Sequence, residues 1–225
     1  MKPLLKVMMV LALAFASTFL LLTLTGVLTL EKIQGWLEAA RSVNPWLLAA
    51  LVVALLFSDI VIAVPTLSVM MLSGYFLGAL TGTLASFTGL LLAGSAGYWA
   101  SKRYGNILLF RLVQEPQQRS EAINTFQRHG PVVILLSRAL PMLPEVSACL
   151  AGLTGMKFLR FLGLWIISIL PYSALANYSG SVSSLQNPMP AIYTAIGLCG
   201  FFWGSWFLFH RAKSRERRLQ TQDLG

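Results

Sequence analysis

Charge is what this sequence has least of. Asp, Glu, Lys and Arg make up 11% of its 225 residues, against about 25% in an ordinary soluble domain. Hydrophobic residues make up 56%, and the mean hydropathy is +0.70. These values exclude water as the main solvent of the chain. Linkers are also missing: no Pro- or Ser-rich stretch separates one part from another, which points to one integral membrane domain. The two cysteines, Cys149 and Cys199, lie alone in apolar runs without metal-ligand spacing. They are expected as small buried hydrophobes rather than as a disulfide. The two histidines, His129 and His210, sit at polar edges with no Ser, Cys or Asp at a recognisable spacing. HExxH and GxSxG are absent. No catalytic residue, metal or cofactor is therefore expected, and an intramembrane enzyme is disfavoured.

What the chain does have is apolar length. Residues 7–29, 82–100, 158–180 and 188–209 can each cross a bilayer, for which about 20 apolar residues suffice. The first of these resembles a signal peptide at Ala14-Phe15-Ala16. Its apolar run outlasts an h-region of about 7–15 residues, so an uncleaved helix is preferred. Residues 31–44 are amphipathic, with Trp36 and Trp46 at interface depth. Two further apolar segments are broken, 46–80 by Asp59 and Pro65 and 131–156 by Arg138, Pro141, Pro144 and Glu145.

The net charge of +9 reads as topology. No basic patch is interleaved with exposed aromatics, so no nucleic-acid partner is expected. Fourteen of the 17 Lys and Arg fall in four places: Lys2 and Lys6, the 101–130 loop, Lys157 and Arg160, and the tail HRAKSRERR. Lys32 and Arg41 share the first loop with Glu31 and Glu38. The positive-inside rule puts those four places, and so both termini, in the cytoplasm. Segment 46–80 must then leave and return on the outer side, and 131–156 on the inner side. Both become re-entrant hairpins of two half-helices, with polar backbone tolerated only where protein or a watery cavity covers it.

The two hairpins also align. VPTLSVMMLSG from Val64 and LPEVSACLAG from Leu143 share apolar-Pro-x-x-Ser and a following Gly. Asp59 lies six residues before Pro65, as Arg138 does before Pro144. The expected fold is an all-α integral membrane protein. It comprises an inverted repeat of two re-entrant hairpins, each followed by a transmembrane helix, plus N- and C-terminal transmembrane helices. Its parts are 1–44, 45–180 and 181–225.

A lone charge in the membrane core costs at least about 2.5–3.5 kcal/mol, so Asp59 and Arg138 are expected to meet or to share a watery cavity near the midplane. Glu145 is expected in the first turn of the inner half-helix, where the helix dipole favours an anion. Blander readings make Asp59 an N-cap at the membrane edge and let Arg138 snorkel to the headgroups. Pro65, Pro141 and Pro144 break the hairpins. Gly74, Gly78 and Gly82, with Gly152, are read as helix-packing residues. So are Gly89, Gly94 and Gly97. Pro171 is expected to kink its span, and Tyr98, Trp99, Trp203 and Trp206 to face lipid or the interface.

SRALPMLPEVSACLAGLTGMKFLRF resembles the second half of the VTT domain of the DedA-like, SNARE-associated membrane family. Within it, the yeast Tvp-type branch and its bacterial relatives look most similar. VPTLSVMMLSGYFLGALTGTLASFTGLLLAGSAGYWASKRYG resembles the first half, and the likeness covers about 45–180. The resemblance implies two opposed re-entrant hairpins and a role in lipid or lipid-carrier translocation, with proton coupling. It matches Asp59 to the family's first-hairpin acid and Arg138 to the first Arg of Arg-x-x-Pro-x-x-Arg. Pro144 stands where the second Arg belongs, which weakens the transfer of a phosphate-carrier activity. Two readings follow. In one, a transporter uses Asp59 or Glu145 for protons and Arg138 for an anionic or phosphate-bearing lipid. In the other, a membrane-organising factor uses the charges as a structural pair. A bacterial inner membrane is the expected location, and a homo-oligomer is compatible with either reading.

Overall fold

The computed structural model describes residues 7–13, 30–60, 62, 64–112, 115–139 and 143–183, with single positions at 17, 20, 189, 193, 194, 196, 197, 200 and 204. Most of the first span, the last span, the basic tail, Pro141, Cys199, Trp203 and Trp206 lie outside the described residues. Every regular element among the described residues is helical.

Helix α1 (Leu30–Val43) carries Glu31 in its first turn, and Gln34 Nε2 donates to Glu38 Oε1 at 3.1 Å. Its Ile33 is fully buried while Trp36 is exposed. Helix α2 (Pro45–Ser58) starts where Asn44 caps it, the side-chain oxygen accepting from Trp46 N–H at 2.8 Å, with Pro45 in the first turn. Both are strong start signals. The helix is apolar on all sides and ends at Asp59. After a break at 59–65, α3 (Thr66–Leu77) begins with Pro65 at its N-cap.

Gly78 separates α3 from α4 (Ala79–Leu112), with φ +81° and ψ 169°. That conformation is nearly restricted to glycine. Among the described residues nothing lies within 4 Å of where its Cβ would be, so Gly78 is a chain break and not the packing residue its place in the glycine ladder suggests.

Most of the described part of the 101–130 segment, read from its polarity as a loop, is helical. Helix α4 runs on to Leu112 and α5 covers Pro116–Leu135, passing through Pro131. Helical residues exposed to water are polar for the same reason loops are, so polarity did not separate the two. A short 3₁₀ turn at Ser137–Ala139 holds Arg138. Helix α6 (Leu143–Leu153) is buried at every position except half-buried Glu145. It ends in a Schellman motif: Gly155 has φ +70°, Met156 N–H donates to Ala151 O at 3.0 Å and Gly155 N–H to Gly152 O at 3.2 Å. Helix α7 (Phe158–Val182) is continuous across Pro171. Among the described residues, Ala79–Gly105 and Phe158–Val182 are long and apolar enough to span a membrane.

The helices pack crosswise. The closest pairings are α4 with α6 and α3 with α7, so the short helix after each break lies against the long helix of the other half. Small residues allow this approach. A Cβ on Gly74 or Gly180 would strike the backbone of Asn177 or Met71, and one on Gly152 would strike the backbone of Tyr98. Gly82 faces the Asn177 side chain. Tyr98 is not lipid-facing: it is fully buried, donates its hydroxyl hydrogen to Met156 O and stacks on Phe161 at 5.1 Å. Its neighbour Trp99 is 52% exposed.

Candidate functional site: a charged cavity between two chain breaks

The two breaks are built from local hydrogen bonds. Asp59 sits at the C-cap of α2 and not at an N-cap. Its Oδ1 accepts from Val64 N–H at 2.8 Å, closing the turn, while Ser58 Oγ donates to Leu55 O at 2.7 Å. In the second break, Ser137 Oγ donates to Ile134 O at 2.7 Å, at the start of the 3₁₀ turn that holds Arg138. Ser168 Oγ on α7 donates to Leu135 O at 3.5 Å. Pro144 lies in the first turn of α6, where its missing N–H costs nothing, and Glu145 follows it in the same turn. Ser147 Oγ donates to Pro144 O at 2.8 Å.

Asp59, Glu145 and Arg138 line one cavity together with Ile60, Leu90, Ala93, Gly94, Ala148 and Trp165. Its volume of about 10 Å³ is the room one water needs. The carboxyls of Asp59 and Glu145 are within hydrogen-bonding reach of each other, and the Arg138 charge acts on the same site. Asp59 is 5% exposed. Among the described residues, Nε and Nη2 of Arg138 and Oε2 of Glu145 have no hydrogen-bond donor or acceptor matched to them.

Aromatic rings hold Arg138. Its guanidinium carbon lies 5.3 Å from the centroid of Trp165 and 5.3 Å from that of Tyr172, within cation–π range. Trp165 is itself fixed, donating Nε1–H to Leu90 O at 3.0 Å. The residue patterns that singled out Asp59, Arg138 and Glu145 passed over Trp165 and Tyr172. The signal was present: the two lie seven residues apart in an apolar helix, two turns along one face. Cys149 is buried and free nearby.

Two broken helical segments and two membrane-length helices around a shared charged cavity define a membrane protein with a polar centre. The VTT domain family matches residues 64–182, and the chain belongs to that family, the DedA-like membrane proteins. It is an integral membrane protein. Over 133 residues it is 29% identical to undecaprenyl phosphate transporter A of Bacillus subtilis (strain 168). That match takes in 52% of this chain and 64% of the relative, so the chain covers less than two thirds of that protein's length. Neither comparison separates the yeast Tvp-type branch from the rest of the family. No solved structure matches the chain.

Proposed function

We propose that this protein is a DedA-type transporter of the bacterial inner membrane that moves a phosphate-bearing lipid or lipid carrier between leaflets, coupled to protons. The observation that carries the reading is Arg138, whose unmatched N–H donors line a cavity that also holds two carboxyls in contact. A guanidinium fork suits phosphate oxygens. The name of the Bacillus relative supports a lipid-phosphate substrate.

The charge count supports coupling. Two carboxylates and one guanidinium sum to a net charge of −1 in the cavity, which repels an anion. A proton held between Asp59 and Glu145 turns their repulsion into a hydrogen bond and brings the sum to zero. Anion entry is thereby tied to proton binding.

The crosswise packing supports an inverted repeat of two re-entrant hairpins, α2–α3 and α5–α6. The offset of 79 residues that relates Asp59 to Arg138 and Pro65 to Pro144 also relates Tyr98 to Asn177. Those two residues meet Gly152 and Gly74 at the two helix crossings. In this reading both termini are cytoplasmic and none of the charged residues is catalytic.

A second reading, a membrane-organising factor with structural charges, draws on the cavity volume of about 10 Å³, too small for a headgroup without opening. Proteoliposome transport of a polyprenyl phosphate separates the two. Wild type should move it faster under an imposed pH gradient, and folded Arg138→Ala, Asp59→Asn and Glu145→Gln should lose most of the rate. Equal rates in wild type and variants would establish the organising reading.

A further inference from the structure

We propose that Trp165 and Tyr172 are positioning residues for anion recognition: they hold the Arg138 guanidinium by its faces and leave its N–H edge free for a phosphate oxygen. The inference rests on the transporter reading of this cavity and adds the device that makes its arginine usable.

A carboxylate is the usual anchor for a guanidinium inside a protein, and it occupies the same N–H groups a phosphate would take. An aromatic face attracts the cation without occupying them. Here Nε and Nη2 are buried and unmatched among the described residues, although two carboxyls line the same cavity. The two rings lie at equal distances of 5.3 Å from the guanidinium carbon.

The anchoring extends outward from the rings. Trp165 is 3% exposed, bonded to Leu90 O and packed on Phe161 at 5.4 Å. Gly94 makes the room, since a Cβ there would strike the indole. The indole is thus fixed independently of Arg138, as a positioning group must be.

The two halves of the chain differ at this point. At the 79-residue offset, Trp165 and Tyr172 correspond to Ser86 and Ala93, both buried on α4. At these two positions the long helix carries small residues in one half and large rings in the other, and the rings are the ones that meet the arginine. A demand for core volume alone gives no reason for that bias.

The test is a binding titration of the full chain in nanodiscs with a short-chain isoprenyl monophosphate, supported by its melting curve. Trp165→Leu should weaken binding by about ten-fold, and Trp165→Phe by much less, because a phenyl face still attracts the cation. The effect should vanish in an Arg138→Gln background, where there is no guanidinium to hold. An equal loss from Trp165→Leu with and without Arg138 would mean a merely structural tryptophan and overturn the proposal. So would wild-type affinity in Trp165→Leu. If Trp165→Leu does not fold, Tyr172→Leu takes its place in the same cycle with the same expectations. Absence of saturable binding by folded wild type would instead overturn the transporter reading, and this inference with it.

Discussion

Asp59 closes its own turn through Val64 N–H and faces Glu145 with the same carboxyl, and substitution separates the two contacts. Asn keeps an oxygen for Val64, whereas Ala leaves a buried N–H unmatched, which costs about 1–3 kcal/mol. Asp59→Ala is therefore expected to melt well below wild type in detergent, and Asp59→Asn close to it. Equal melting of the two would mean that the Val64 bond does not hold the turn. The charged residues were visible in the sequence because a charge in an apolar run is costly and so conspicuous. Trp165 and Tyr172 were not, because an aromatic in an apolar helix looks like any core or lipid-facing residue. Tyr98 was misplaced for that reason, its burial being a property of what packs on it.

At the scale of helices, the crossings rest on absent side chains. Gly74→Ala, Gly152→Ala and Gly180→Ala each place a methyl against backbone of the facing helix, where relief requires the helices to part. Each should lower stability by about 1–3 kcal/mol or more. Gly163→Ala, with open space around it, should be close to neutral. Gly78→Ala should also destabilise, by about 1–3 kcal/mol, through its backbone conformation at φ +81° rather than through a clash. Thermal melting of this set distinguishes the two mechanisms: in Gly78→Ala the helix crossings stay intact, as crosslinking between Cys pairs across α3 and α7 would report. Pro45 after Asn44 and Pro116 after Glu115 mark helix starts that the reading by polarity passed over. Helix extent was not readable: most of the polar residues at 116–121 lie exposed on a helix, and polarity alone does not separate that from a loop.

For the whole molecule, the distribution of Lys and Arg predicts the orientation. A reporter enzyme fused after residue 115 should be active only in its cytoplasmic form, and one fused at position 44 only in its external form. The opposite pattern would invert the proposed topology. Crosswise packing makes each half of the chain dependent on the other, since α6 is enclosed chiefly by α4, and α3 by α7.

The sequence by itself determined the solvent, the two long spans and the places where the chain must break. These follow from local quantities: apolar residues per bilayer thickness, a proline that cannot continue a helix, a charge that cannot stay alone in hydrocarbon. It also singled out Asp59, Arg138 and Glu145, which come from distant segments. Only the tertiary structure decided that Asp59 lies against Glu145 and that Arg138 is held by rings from α7. Those contacts join residues far apart in the chain. They depend on which helix faces fit closely enough at glycine crossings to come together, and no single segment carries that information.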